Sequence, residues 1–236
     1  MTTSERFQCS ATTLSSFELF APLSSTERES IAQCMSARAY RRNQFVIRTD
    51  DVDTDVYFVI SGTLRACAYS EEGRQVQFED LHAGAMFGEI TAVAGGSRST
   101  DCFAIDDAMV AGLPGDQLRA LIYQYPSIAD AVLLRLAKLA RRQVQRVIEF
   151  SSTSVRQRIR LELLRLASSG TSGTEGEIVF EKVPTHADLA ARISTHREAV
   201  SREVKSLEAS GVITWRPGAH VIHDVGRLTE SASESG

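Results

Sequence analysis

Residues 185–224, THADLAARISTHREAVSREVKSLEASGVITWRPGAHVIHD, decide the fold of the C-terminal third of the chain. Thr185 is followed three residues later by Asp188, and Thr195 is followed in the same way by Glu198. This is the spacing of a capping box, in which a hydroxyl at the N-cap and a carboxyl group at N3 bond reciprocally to the backbone. The pattern predicts two helices, capped at Thr185 and Thr195, with about four residues between them.

The segment after these helices predicts a β-hairpin. After Gly211 the run VITWRPGAHVIHD alternates β-favouring and polar residues around Pro217-Gly218, a turn-forming pair. Two helices joined by a tight turn and followed by a two-stranded wing form a winged helix-turn-helix, whose second helix fits a DNA major groove about 12 Å wide.

A helical wheel of the second predicted helix separates its polar and apolar side chains. With 100° per residue from Arg197, the polar residues span about 0° to 140°. They are Arg197, Glu198, Ser201, Arg202 and Lys205. The apolar residues span about 280° to 340°. They are Val200, Val204 and Leu207. One face therefore packs, and the other presents donors to DNA or to solvent.

The region upstream has the pattern of an antiparallel β-domain. Between Gln44 and about Leu113, short β-rich runs alternate with glycine-containing turns. The runs are FVIR, VYFVISG, TLRACAYS, RQVQFEDL, GAMFGEI, DCFAI and AMVAGL. Ser15–Phe20 and Ser25–Ala37 are predicted as short helices, the second capped at Ser25/Thr26.

After Pro126 the apolar spacing changes to that of a long helix. Apolar residues and one glutamine recur at intervals of three and four. They are Leu133, Leu136, Ala140, Gln143, Val147 and Phe150. This spacing is typical of a dimerisation helix, although a single helix covering the β-domain would give a similar pattern. SSTS at 151–154 predicts a hinge before a helix at Val155–Ala167.

The predicted fold is α+β, with three parts. They are an antiparallel β-roll at 1–126, a dimerisation helix and hinge at 127–153, and a winged helix-turn-helix at 154–236. The chain has a net charge of −4, distributed as −7, +3 and 0 over these parts, and it contains 23 arginines against 3 lysines. Arginine suits phosphates and guanine edges, although a GC-rich genome would also enrich it.

Two motifs in this order resemble the CRP/FNR superfamily of bacterial transcription regulators. Phe87-Gly88-Glu89-Ile90, followed by Arg98-Ser99, resembles the phosphate-binding cassette of cyclic-nucleotide-binding domains. Arg197-Glu198-x-x-x-Arg202 resembles the base-reading triplet of the cyclic-AMP-dependent branch. The resemblance covers nearly the whole chain. It implies a homodimeric, cyclic-nucleotide-responsive DNA-binding regulator, with cyclic AMP as the first candidate effector and cyclic GMP as the alternative.

The chemistry of the cassette agrees with a cyclic phosphodiester ligand. Arg98 offers a bidentate cation for the phosphate, the Ser99 hydroxyl and backbone N–H groups complete the cradle, and Gly88 permits close approach. Glu89 would accept a hydrogen bond from the free ribose 2′-hydroxyl, and Ile90 completes the expected ligand set. The structural alternative is that Glu89 and Arg98 simply pair across a turn.

The base-contacting pair departs from the family pattern. Where cyclic-AMP-binding members have Thr-Ser on the dimer helix, the alignment places Gln143 and Val144. An amide both donates and accepts, so Gln143 could contact adenine or guanine. A polar residue that fixes the register of the dimer helix is the equal alternative.

On DNA, the resemblance implies TGTGA-like half-sites in a palindromic operator. Arg197 and Arg202 would each bind guanine, Glu198 would accept from a cytosine amine, and Ser201 would contact phosphate, with Thr195 and Lys205 in the same interface. RNA polymerase is the expected protein partner. Two alternatives stay open: a family member that is ligand-independent or has another effector, and a β-roll that regulates a partner protein.

Other features predict neither an enzyme nor a metalloprotein. The four cysteines are far apart and are expected as reduced thiols, without an iron–sulfur cluster. Asp51-x-Asp53-x-Asp55 lacks the glycine and glutamate of a calcium loop, and His220-x-x-His223 has no third ligand nearby. No nucleophile motif, export signal or membrane span is predicted, which favours a cytoplasmic location.

Overall fold

The computed structural model describes residues 6–168, 171–172, 177–180, 184–216 and 219–233. The chain divides into two compact units. The first contains the chain up to Ala68 together with Phe78–Arg142, and the second contains Tyr69–Gln77 together with the chain from Gln143. The division into three parts at residues 126 and 153 stays a prediction.

The N-terminal elements combine short helices with antiparallel strands. In chain order they are β1 (Arg6–Gln8), α1 (Ala11–Ser15), a 3₁₀ helix (Glu18–Phe20), α2 (Ser25–Ala32), β2 (Ser36–Tyr40), β3 (Phe45–Ile47), β4 (Val56–Ser61), β5 (Leu64–Tyr69), β6 (Gln75–Leu81), β7 (Met86–Phe87), α3 (Glu89–Ala94), β8 (Asp101–Ala104), β9 (Ala108–Leu113), α4 (Gly115–Gln124) and α5 (Pro126–Ser152).

Within the described residues these strands form two sheets. One has the order β1-β2-β9-β4-β7 and the other has the order β3-β8-β5-β6. Phe17 and Phe20 each pack on Phe58 with ring centroids 5.1 Å apart, in a core beneath the first sheet. Cys67 and Cys102 are buried in the second sheet, and neither forms a disulfide within the part of the chain that the structure describes. The antiparallel β-domain predicted from the sequence is confirmed.

The N-terminal helices differ from the prediction. The helix predicted over Ser25–Ala37 ends at Ala32, and Ser24 rather than Ser25 or Thr26 is its N-cap, in a capping box with Glu27. Residues Ser36–Tyr40 instead form β2, where Ala37 pairs with Ala111 of β9. Long-range pairing overrides local helical preference here, because β2 completes the sheet between β1 and β9.

Two further predicted elements are also divided in the structure. The helix predicted over Ser15–Phe20 is replaced by α1 and the 3₁₀ helix. The predicted strand GAMFGEI is a strand only at Met86–Phe87, and its last residues begin α3 at Glu89. The change occurs at Gly88, whose φ of 83° is left-handed and ends the strand.

The long helix α5 is confirmed, but its apolar stripe faces two directions. Ile128 and Val132 are buried, and Leu136 packs against the core that contains Phe17, Phe20 and Phe58. The exposed large apolar side chains of α5 are Leu133, Leu134, Val144, Val147 and Ile148. The exposed seam therefore runs through Val144 rather than through Leu136, Gln143 and Phe150, which are half-buried.

The second unit contains the predicted helix-turn-helix and wing. Its further elements are α6 (Val155–Ala167), β10 (Thr171–Ser172), β11 (Ile178–Val179), α7 (His186–Arg192), α8 (Arg197–Ala209), β12 (Ile213–Arg216), β13 (Ala219–Ile222) and α9 (Val225–Ser233). The sheet order within the described part is β10-β11-β13-β12. The predicted turn at Pro217-Gly218 lies outside the described residues.

The two predicted helix caps have different outcomes. Thr185 caps α7 in a capping box with Asp188, as predicted. Thr195 does not cap α8, because the helix begins at Arg197 and its N-cap is His196. The Thr195 backbone N–H instead donates to Ala190 O at 2.9 Å, so this residue closes α7 rather than opening α8.

Candidate ligand-binding and DNA-binding sites

Arg98 lies in the loop between α3 and β8 and is only 3% exposed. Its backbone N–H donates to Asp51 O at 2.8 Å, and its carbonyl accepts from Asp50 N at 3.0 Å. These two bonds hold the loop of Arg98 against the acidic turn before β4. The turn therefore serves as one wall of the cassette.

The guanidinium of Arg98 is held from three sides. Nη1 donates to Gly88 O at 3.0 Å, and Nη2 donates to Asp55 O at 2.6 Å. Nε donates to Asp53 Oδ2 at 3.3 Å, and Nη2 also pairs with Asp53 Oδ1. A buried charge is tolerated only when it is paired and hydrogen-bonded, and these contacts satisfy that requirement.

Two features favour glycine at position 88: the close approach of the Arg98 side chain and the backbone conformation of the turn. A Cβ at this position would lie 2.8 Å from Arg98 Nη1 and 3.0 Å from Asp55 O. Its φ of 83° is also in the left-handed region. Two independent constraints therefore favour glycine where the sequence predicted close backbone approach.

Asp53 is the charged partner of Arg98, and it is partly open to solvent. Its side chain is 41% exposed, whereas that of Arg98 is 2% exposed. Burial opposes ionisation of the carboxyl group, but the hydrogen bonds and charge of Arg98 outweigh it and lower the pKa of Asp53. Asp53 is thus a carboxylate, and an anion that binds Arg98 from solvent would compete with it.

Glu89 pairs with the long helix rather than with Arg98. Glu89 is buried, and its Oε1 accepts from Arg135 Nε at 2.9 Å. Arg135 Nη2 also donates to Glu79 Oε2 at 3.2 Å. The alternative in which Glu89 and Arg98 pair with each other is wrong, because each has a different partner.

The other predicted ligand residues occupy more open positions. Ile90 and Ser99 are exposed beside Gly88, Glu89 and Arg98. On α5, Gln143 is half-buried and Val144 is exposed. Their contact with a ligand stays a prediction.

On the recognition helix α8, the polar face is open, as the wheel predicted. Arg197, Glu198, Arg202 and Lys205 are exposed on this face. Val200, Val204 and Leu207 are buried in the core of this unit. The helix therefore presents a row of donors and one acceptor from a packed support.

Ser201 has a partner that sequence reasoning missed. His186, the first residue of α7, approaches Ser201 Oγ with Nδ1 at 2.9 Å. Burial, followed by the charge of Arg197, lowers the pKa of His186. The position of His186 directly after the Thr185 cap could have suggested that it lies near the second helix.

The buried carboxylate of Glu203 fixes α8 on the side that faces α6. Glu203 pairs with Arg160 at 2.7 Å and with Arg156 at 3.1 Å, both on α6. On the wheel Glu203 falls at about 240°, outside the polar face, which is the signal for a buried and paired charge. This pair fixes the recognition helix on α6.

The histidine pair and the charged groups of the described part do not assemble a metal site. No group of three or more His, Cys, Asp or Glu side chains there is arranged to hold an ion. His223 contacts Glu177 and Thr214, and His220 packs edge-on against Trp215. In the same residues, no helix is long and apolar enough to cross a bilayer.

Comparisons with known proteins identify the two domains that contain these candidate sites. A cyclic nucleotide-binding domain model matches residues 37–125, and a Crp-like helix-turn-helix domain model matches residues 157–231. The cyclic AMP receptor protein of Thermus thermophilus is 28% identical over 214 residues, covering 91% of this chain and 96% of the relative. The CRP-like cAMP-activated global transcriptional regulator of Mycobacterium tuberculosis is 24% identical over 193 residues, covering 82% and 86%.

A solved structure shows the same fold. The c-di-GMP responsive global regulator CLP of Xanthomonas campestris matches with a TM-score of 0.71 at 20% identity, covering 81% of this chain and 95% of that chain. The matched domains and the fold define a DNA-binding transcription regulator with a cyclic-nucleotide-binding domain. The chain belongs to the CRP/FNR superfamily and is a CRP-like member of it.

Proposed function

We propose that this protein is a cytoplasmic homodimeric transcription regulator that responds to a 3′,5′-cyclic nucleotide and binds palindromic operators. It acts by binding and not by catalysis. The observation that carries the proposal is the buried Arg98 guanidinium, paired at the cassette with the Asp53 carboxylate, which is 41% exposed. Cyclic AMP is the first candidate because the relatives are named for it, and cyclic GMP is the alternative.

Ligand binding is an exchange of anions at Arg98. The cyclic phosphate displaces the Asp53 carboxylate and takes over its two donors, while Gly88 O and Asp55 O keep the guanidinium in place. Glu89 accepts from the ribose 2′-hydroxyl, and Ser99 donates to the phosphate from the exposed rim. Gln143 and Val144 are the proposed base contacts on α5.

A second copy of the chain is proposed to cover the exposed seam of α5. Leu133, Val144 and Val147 recur at heptad-type spacing, and all three are exposed. An apolar helix face of this kind supports association with an identical helix, because burial of these side chains removes apolar surface from water. A symmetric dimer would place two recognition helices on one palindrome.

At the operator, the exposed face of α8 reads the bases. Arg197 and Arg202 donate to guanine O6 and N7, and Glu198 accepts from a cytosine amine, each contact contributing about 1–3 kcal/mol of discrimination. Ser201, Thr195 and Lys205 are proposed to contact the phosphate backbone. TGTGA-like half-sites and recruitment of RNA polymerase are proposed by resemblance to the family.

Coupling between the sites requires differential affinity. The ligand favours the arrangement of α5 and its hinge to which it binds more tightly, and by the same amount it favours the DNA-bound state. The ligand therefore has to contact an element that differs between the two arrangements. Glu89, which is proposed to accept from the ribose, bonds to Arg135 of α5 and so connects the ligand to this helix.

Calorimetric titration of cyclic AMP and cyclic GMP into wild type and Arg98→Leu tests the proposal. We expect binding to wild type and its loss, by about a hundredfold or more, in Arg98→Leu, because charge-assisted contacts to the phosphate disappear. Arg41→Leu, which removes an exposed arginine of the same unit, is the matched control. Equal binding by wild type and Arg98→Leu would contradict the assignment.

A regulator with another effector is the second candidate. It is favoured by the full set of intramolecular partners of Arg98 and by the c-di-GMP response named for the structural relative. In that case wild type binds operator DNA but neither cyclic mononucleotide. A ligand-independent regulator would bind the operator with unchanged affinity in the presence of either nucleotide.

A further inference from the structure

A series of charged side chains leads from the cassette along α5. Glu89 bonds to Arg135, and Arg135 bonds to Glu79 of β6. Glu79 Oε1 also pairs with Arg142 Nη1. Arg135 and Arg142 are two helical turns apart on the same face of α5, so the series extends about 10 Å along the helix.

We assign this series of charged side chains to the base of the proposed ligand. The phosphate is assigned to Arg98 and the ribose to Glu89, so the base extends from Glu89 on the side away from Arg98. Glu89 bonds to Arg135 and not to Arg98, and the carboxylate of Glu79 follows one guanidinium further on, so we assign this series to the base. The Glu79 side chain is 24% exposed, which leaves it accessible while limiting competition from water.

The chemistry of Glu79 and Arg142 matches one purine better than the other. An ionised carboxylate only accepts hydrogen bonds, and a guanidinium only donates them. Guanine presents two adjacent donors, N1–H and N2–H, beside the acceptor O6. Adenine presents a single donor, N6–H, beside the acceptor N1, whose lone pair would face the carboxylate.

The carboxylate also has acceptor capacity to spare. Its two oxygens offer about four lone-pair sites, and Arg135 and Arg142 use one on each oxygen. Two sites are left for the two parallel N–H groups of guanine. Arg142, whose side chain is 46% exposed, can turn a further N–H toward O6.

We propose that Glu79, supported by Arg142, selects the base of the effector and makes cyclic GMP, the alternative named above, the preferred ligand over cyclic AMP. This inference rests on the proposed function, since it assumes that Arg98 binds the cyclic phosphate. It assigns base recognition to β6 in addition to the residues Gln143 and Val144 on α5.

Calorimetry on the full chain, with cyclic GMP and cyclic AMP as separate titrants, tests the proposal. Wild type is expected to bind cyclic GMP at least about tenfold more tightly than cyclic AMP. Glu79→Gln is expected to weaken cyclic GMP binding about tenfold and to change cyclic AMP binding less than about twofold, because an amide can accept only one of the two guanine N–H groups. Glu71→Gln, which removes an exposed carboxylate between β5 and β6, should change neither affinity.

Arg142→Gln provides a second variant if Glu79→Gln unfolds, and it should lower the cyclic GMP preference in the same direction. A wild type that prefers cyclic AMP, or equal losses for both nucleotides in Glu79→Gln, would overturn the selection of guanine while leaving the proposed function intact. Failure of wild type to bind either nucleotide would overturn the proposed function and this inference together.

Discussion

The arginine of the cassette and the two arginines of the recognition helix differ in burial and in bonding. Arg98 is buried and fully engaged, with Asp53, Asp55 O and Gly88 O around its guanidinium. Arg197 and Arg202 are exposed on α8, and neither side chain makes a hydrogen bond or ion pair with another described residue. Burial of Arg98 is stable only because its partners compensate its charge. The Arg197 and Arg202 side chains are solvated and available to bind DNA.

This difference separates the consequences of mutation at the two sites. A buried charge without partners is costly, so changes around Arg98 affect both folding and ligand binding. An exposed arginine contributes little to folding, so changes at Arg197 and Arg202 affect only DNA binding. The acidic net charge of the first 126 residues is compatible with anion binding for the same reason, because a single enclosed arginine determines the local chemistry.

The double substitution Arg197→Ala and Arg202→Ala has the largest expected effect. Operator binding should weaken by about 2–6 kcal/mol, because two bidentate base contacts of about 1–3 kcal/mol each are lost. The free energy of unfolding should stay within about 0.5 kcal/mol of wild type, since both side chains are exposed. Fluorescence anisotropy with operator and scrambled duplexes, together with urea denaturation, measures both quantities.

Lys205→Ala separates base contacts from phosphate contacts in the same assay. It should weaken binding to operator and scrambled duplex alike and reduce the salt slope by about one. If the double arginine variant kept the wild-type preference for the operator over the scrambled duplex, these arginines would not be base-recognition residues.

Gly88→Ala tests the enclosed site, with the next largest effect. The new Cβ would lie 2.8 Å from Arg98 Nη1 in a residue with a φ of 83°. Strain and crowding together should reduce the stability of the protein by about 2–4 kcal/mol and weaken cyclic nucleotide binding. Gly96→Ala is the control, because Gly96 has a φ of 86° but no atom within 4 Å of the added Cβ. Similar losses for the two variants in urea denaturation would show that contact with Arg98 is unimportant.

The sequence predicted the two sites unequally, for physical reasons. Arg98, Gly88 and Glu89 were found because a short motif contains them, but Asp53 is 45 positions from Arg98 and reaches it only through tertiary folding. The role of the acidic turn at 51–55 as a wall of the cassette became visible only in the structure. Local periodicity contains no information on such a pairing.

The helix-turn-helix was more predictable because its signals are local. Thr185 and Asp188 form their capping box within four residues, and the wheel of α8 separates its two faces correctly. The prediction failed at Thr195, where a backbone bond to Ala190 determines the path of the chain. It also placed the seam of α5 on Leu136 and Phe150, because apolar spacing alone cannot distinguish the side packed on the β-domain from the side left open.

Asp53→Asn refines the comparison, with a smaller effect of opposite sign. Loss of the competing negative charge should raise cyclic nucleotide affinity several-fold, while stability falls by about 1 kcal/mol or less because the Asp53 side chain is partly exposed. Asp51→Asn, in the same turn, is the control for calorimetric titration. Weaker binding in Asp53→Asn would mean that Asp53 orients Arg98 for the ligand instead of competing with it.

His186 provides the smallest test, and it concerns the partly enclosed edge of the exposed site. Because burial and then the charge of Arg197 lower its pKa, the folded state disfavours protonation of this ring. Its contribution to stability is complete at pH values above about 6.5, the unfolded value, and is lost as the pH falls through the lowered folded value. Urea denaturation at pH 8 and pH 5.5 should therefore show a smaller loss of stability on acidification in His186→Gln than in wild type. His82→Gln, which changes an exposed histidine of the other unit, should behave like wild type. If all three proteins lose the same stability, His186 is not linked to folding, and its contact with Ser201 contributes nothing to the support of the DNA-binding face.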